Sequence, residues 1–131
     1  MARVRTPLAR ARGLGSAKHG VGHFVVQRLT ALALAGLVLW GVASVLGLAR
    51  GGYDVAVMWL HAPVNIVLAV LLVVAAFWHM QIGMRVIIED YFARTSTKSA
   101  LLVLNVFVCW LGAALSVVSL LKVAFAAGVI V

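Results

Sequence analysis

The residues whose types and spacing can do chemistry are concentrated in "HMQIGMRVIIEDY", residues 79–91. His79 sits inside a long apolar run, and an imidazole there can ligate a metal or haem iron, relay a proton, or hydrogen-bond a neighbouring helix. Helical spacing sharpens the choice. At 100° per residue, Gly83 lies about 40° from His79, Val86 about 20° to the other side, and Asp90 returns to within about 20°. Gly83 therefore removes bulk from the face that His79 uses, as a large planar macrocycle beside the helix would require. Close helix–helix packing accounts equally well for the glycine taken alone.

Asp90 lies roughly 16 Å along the axis from His79, near the inner membrane interface where a carboxylate reaches water. Tyr91 is turned about 100° further and can present its hydroxyl to a bundle interior. An ordinary interfacial tyrosine beside a solvated acid is the alternative account of this pair. Glu89 projects elsewhere and is expected in solvent, and Arg85 can snorkel to the inner surface.

These side chains need elements to hold them, and composition says which. The chain has 131 residues, 65% of them hydrophobic, with a mean hydropathy of +1.15. A water-soluble domain of that length cannot hide so much apolar surface. Three runs, at about residues 24–49, 64–92 and 99–123, are each long enough to cross a hydrocarbon core of about 30 Å as a helix. Pro63 opens the second, a residue suited to a helix's first turn, and Ser96 or Thr97 can cap the third. Period-2 alternation is lacking, which argues against barrel strands. The expected fold is all-α, an integral membrane protein with three transmembrane helices. Residues 1–22 form a basic lead without a periodic apolar face, and residues 23–131 form the membrane domain.

The net charge of +8 raises nucleic acid as a partner, but its placement has a simpler cause. Arg3, Arg5, Arg10, Arg12 and Lys18 precede the first helix, Arg94 and Lys98 fall between the second and third, and the loop "RGGYDVAVMWLHAP" is nearly neutral. Basic segments stay on the cytoplasmic side, so the N-terminus is expected inside and the C-terminus outside, with lipid rather than nucleic acid as the surroundings. The basic, acid-free start resembles a targeting signal, but its apolar run is too long, so a retained signal anchor is expected. The single Cys109 lies in the third apolar run and reads as a small buried residue.

Arg28, in "HFVVQRLT", falls about a turn inside the inner interface. It can snorkel to headgroups or face a buried anion such as a cofactor carboxylate. His19 and His23 lie near that same surface and His61 near the outer one, so none is expected at the depth of His79. Leu37 to Trp40 are the first-helix residues expected at that depth, and they cannot ligate. The third helix offers the Cys109 region, a ligand by depth alone, so a haem with two histidine axial ligands would need its second one from another polypeptide. No extramembrane segment is large enough for a catalytic fold. Two rival classes are a small transporter or proton-relay protein, with Asn105, Ser116 and Ser119 as thin polar support, and a cofactor-free assembly factor.

With its upstream "QRLTALAL" and three-helix layout, the "HMQIGMRVIIEDY" segment resembles the second-helix motif of the hydrophobic membrane anchor subunit of succinate dehydrogenase, and the resemblance covers essentially the whole chain. It implies that His79 is an axial ligand of a b-type haem whose other histidine comes from the companion cytochrome b subunit. It implies that Tyr91 hydrogen-bonds a ubiquinone carbonyl, with Asp90 supporting it and the proton supply, and that Arg28 lies near the haem propionates. A flavoprotein and an iron–sulfur subunit would be the partners, in a bacterial inner membrane rather than a mitochondrial one. The "SxxHR" pattern of the cytochrome b subunit is missing, since His23 and Gln27-Arg28 have the wrong order. That favours the hydrophobic anchor over its cytochrome b companion.

Overall fold

The computed structural model describes residues 6–13 and 20–126, so the expectations for Arg3, Arg5, Lys18 and His19 lie outside the described residues. The described chain is helical throughout: α1 (Pro7–Ala11), α2 (Gly20–Leu48), α3 (Gly52–His61), α4 (Pro63–Tyr91) and α5 (Thr95–Ala126). Three of these, at Val21–Leu48, Pro63–Tyr91 and Thr95–Phe125, are long and apolar enough to span a membrane. The three expected spans are thus present, the first helix beginning at Gly20, ahead of the apolar run that opens near Phe24.

Two helices go beyond that expectation. In the basic lead, Pro7 opens α1, the Arg12 N–H donates to the Leu8 carbonyl at 3.0 Å, and Gly13 at φ +62 ends the turn. Left-handed backbone of this kind is where glycine is favoured. The neutral loop between the first two spans also folds, as α3. Gly52 at φ +70 turns the chain into it, and Asp54 in its first turn suits the positive end of the helix dipole. Pro63 ends it by forcing the preceding Ala62 to extended backbone, ψ 122. Asn65 fastens the junction, its Nδ2 donating to the Trp59 carbonyl at 2.8 Å.

Helix α4 lies between the other two spans. It packs against α2 on one side and α5 on the other, while α2 and α5 do not touch; α3 lies across one end and meets all three. Trp59 of α3 stacks on Trp40 of α2 with ring centroids 5.4 Å apart. The seams follow the heptad-like spacing of antiparallel helices. On α2 the covered positions include His23, Gln27, Thr30, Leu34, Leu37, Gly41 and Ser44. Large apolar side chains elsewhere on the spans are exposed, as expected where lipid is the solvent. Helix α5 starts at Thr95, so Ser96 and Thr97 lie inside its first turn rather than capping it. The Lys98 N–H closes that turn on the Arg94 carbonyl at 2.9 Å.

Candidate functional site at the seam of α2 and α4

The antiparallel register brings Thr30, not Leu37 to Trp40, to the level of His79. Thr30 Oγ1 stands 3.0 Å from His79 Nδ1. The offset from the expected depth is about seven residues on α2, roughly 10 Å. Thr30 is the one buried polar residue among the described residues, 9% exposed. Its hydroxyl also reaches the carbonyls of Val26 at 2.9 Å and Gln27 at 3.1 Å, the usual way a helical threonine satisfies its proton. His79 is half-buried, and its Nε2 makes no hydrogen bond among the described residues.

One turn inward from this pair, His23, Phe24, Gln27, Gly83 and Val86 line an open groove between α2 and α4. Within the chain, packing does not demand a glycine at position 83. A Cβ there would meet only Gln27 Nε2, at 3.9 Å, an ordinary contact; at Gly112 it would meet Phe77 Cε1 at 2.6 Å, and at Gly41, Leu72 Cδ2 at 3.1 Å. The missing side chain at Gly83 therefore opens space toward something outside the chain. Gln27 Oε1 belongs to the same groove: it is buried and has no hydrogen-bond partner. Buried polar atoms are rarely left so. An imidazole midway along its span with one nitrogen already engaged, a glycine clearance and an orphaned amide oxygen together fit the edge of a haem. Among the described residues no cluster of three His, Cys, Asp or Glu side chains can hold a metal ion.

Asp90 and Tyr91 do not join this group. They sit at the far end of α4, both exposed, and Tyr91 at 82% faces no bundle interior. With α2 and α5 apart, the three spans enclose no interior at that end. Glu89 is not simply solvated, because Arg85 Nε donates to its Oε1 at 2.7 Å. Arg28 lies over the Phe24 ring, 5.1 Å from its centroid, near the groove but outside its lining. Cys109 is buried, as expected, with Sγ 3.4 Å from Asn105 Oδ1.

Two of the polar residues that could serve a relay, Asn105 and Ser119, are occupied locally. Asn105 Nδ2 donates to the Gln81 carbonyl at 2.9 Å, and Ser119 Oγ donates to the Leu115 carbonyl at 2.8 Å. Neither links His79 to Asp90. Thr30 is the site residue that sequence reasoning misses. Its signal lies in the i, i+4, i+7 series His23, Gln27 and Thr30, a polar stripe on an otherwise apolar helix.

Residues 2–127 match the family described as succinate dehydrogenase/fumarate reductase transmembrane subunit. The chain is 30% identical over 106 residues to the succinate dehydrogenase hydrophobic membrane anchor subunit of Rickettsia conorii, covering 80% of this chain and 84% of that one. The subunit of the same description from Rickettsia bellii is 29% identical over 99 residues, 76% and 79% of the two chains. That from Paracoccus denitrificans is 29% identical over 131 residues, 98% of each. No solved structure matches significantly. From the span of the family match and the agreement of its relatives, the chain belongs to the succinate dehydrogenase/fumarate reductase transmembrane subunit family.

Proposed function

We propose that this chain is the membrane anchor of a succinate:ubiquinone oxidoreductase. In this reading it attaches the flavoprotein and iron–sulfur subunits to a bacterial inner membrane, with the N-terminus inside. It gives one axial histidine to a b-type haem and one wall to the ubiquinone site. The observation that carries the reading is His79, midway along α4 and bonded to Thr30, beside a seam whose glycine and orphaned glutamine leave room for a bound group.

His79 would be one of the histidines that hold the haem iron, and the companion cytochrome b subunit would supply the other. Gly83 would leave clearance for the macrocycle, and Arg28, lifted toward the inner surface, would face its propionates. When bound, the haem supplies a one-electron carrier whose potential is set by burial and by hydrogen bonds to its ligands. The chain's other task lies at the end of α4. Ubiquinone reduction takes two electrons and two protons, so a donor must meet the charge that develops on a quinone oxygen. The Tyr91 hydroxyl meets that need. Asp90, next to it and open to water, would support the tyrosine and feed protons inward. The exposure of Tyr91 in this chain accords with a pocket completed by companion subunits.

The test is the purified complex. His79→Ala is expected to abolish the reduced b-type Soret and α bands; an unchanged spectrum rejects the ligand, and a colourless wild-type complex rejects the haem. Tyr91→Phe is expected to lower succinate–quinone turnover by roughly 10²–10³, the effect of losing one donor to a developing oxyanion. Unchanged turnover and quinone affinity would remove Tyr91 from the site.

A further inference from the structure

The contact of Thr30 with His79 also bears on which nitrogen of His79 can act. A threonine hydroxyl has one proton and two lone pairs. Thr30 Oγ1 has two main-chain carbonyls of its own helix within reach, Val26 at 2.9 Å and Gln27 at 3.1 Å. A proton given to either of them leaves a lone pair of the same oxygen facing His79 Nδ1 at 3.0 Å, and Nδ1 is then the donor. A neutral imidazole protonated at Nδ1 has a bare lone pair at Nε2, and the two ring nitrogens are thereby made distinct.

We infer that Thr30 is a positioning residue for His79: its hydroxyl accepts the Nδ1–H bond from α4, fixes the ring's rotation and tautomer, and leaves Nε2 as the nitrogen offered to iron. The inference rests on the haem-ligand reading of His79 and adds to it the nitrogen used and the residue that selects it. Thr30 suits the task because α2 already holds it rigid. It is buried, and its rotamer is pinned by its own backbone contacts, so the acceptor is in place before any cofactor arrives. Accepting the Nδ1 hydrogen also makes the imidazole a stronger donor to the metal, which favours the oxidised iron. Partners of this kind behind a metal-bound histidine commonly change metal affinity by roughly 10- to 100-fold.

The experiment uses the assembled complex with Thr30→Val, Thr30→Ala and Thr30→Ser, reading the haem-to-flavin ratio after detergent washing and the haem midpoint potential. Valine keeps the shape without an acceptor, alanine carries the same test should valine fail to assemble, and serine restores the hydroxyl. The expected result is haem retention weakened roughly 10- to 100-fold in Thr30→Val and Thr30→Ala, with a raised potential in whatever haem remains. Thr30→Ser is expected to behave like the native complex. A merely space-filling role would leave the potential of Thr30→Val unmoved, and that result overturns the inference. His79→Ala runs alongside. Haem lost there but untouched in Thr30→Val refutes the positioning role alone, whereas haem kept in His79→Ala refutes the ligand reading beneath it.

Discussion

The two seams that flank α4 are built on opposite principles. Against α5 the fit is tight: the Phe77 ring lies over Gly112, leaving no space for a Cβ. Cys109 and Ala113 are buried there, and Asn105 is tied to the Gln81 carbonyl. Against α2 the half of the contact near the start of α2 and the end of α4 is open and polar, with a threonine–histidine bond, a glycine that nothing in the chain presses against and a buried amide oxygen without a partner. A helix pair in lipid gains its association from van der Waals contact and satisfied polar groups. The α4–α5 seam provides both by itself. The α2–α4 seam leaves some of each unmet, and on the function proposed above it is the side where a bound group would sit.

Substitution at the two glycines breaks or sharpens this contrast. The largest effect on stability is expected at the tight seam. Gly112→Val should lower the unfolding free energy of the complex by about 1–3 kcal/mol through overpacking against Phe77, read as an earlier thermal or denaturant midpoint; a neutral result would mean that the α4–α5 fit is looser than the contact implies. Gly83→Ala should do the reverse. In the haem-depleted complex it should leave stability unchanged or raised by up to about 1 kcal/mol, since alanine is the better helix former, while haem retention falls. Undiminished haem retention would show that the clearance serves no macrocycle. The smallest effect belongs to the exposed Arg85–Glu89 pair. Glu89→Gln should alter stability by no more than about 0.3–0.5 kcal/mol, diminishing as salt is added. A larger loss would place that pair against a companion subunit.

What can be read directly from the residues, and what cannot, divides along physical lines. The three spans are plain, because about 20 apolar residues in a row have few other uses. The face shared by His79 and Gly83 is plain too, since helical periodicity fixes angular position. Axial register is not. It depends on how α2 slides along α4, and α3 takes part in setting that through the Trp40–Trp59 stack; with α3 read as a loop, the first-helix residues level with His79 fall too far along the chain. Helix α3 is hard to see because ten residues between paired glycines and a proline resemble a turn-rich connection. Thr30 is hard to see because a threonine bonded to its own carbonyls looks inert in an apolar helix. For Tyr91, helical angle allows an interior-facing hydroxyl, and the three spans supply no interior at that end.

The separation of α2 from α5 has a mechanical consequence. Strain introduced along one outer helix reaches the other only by way of α4 or the short α3 across their ends. The position of each outer helix is thus set by its own contacts with α4 and α3.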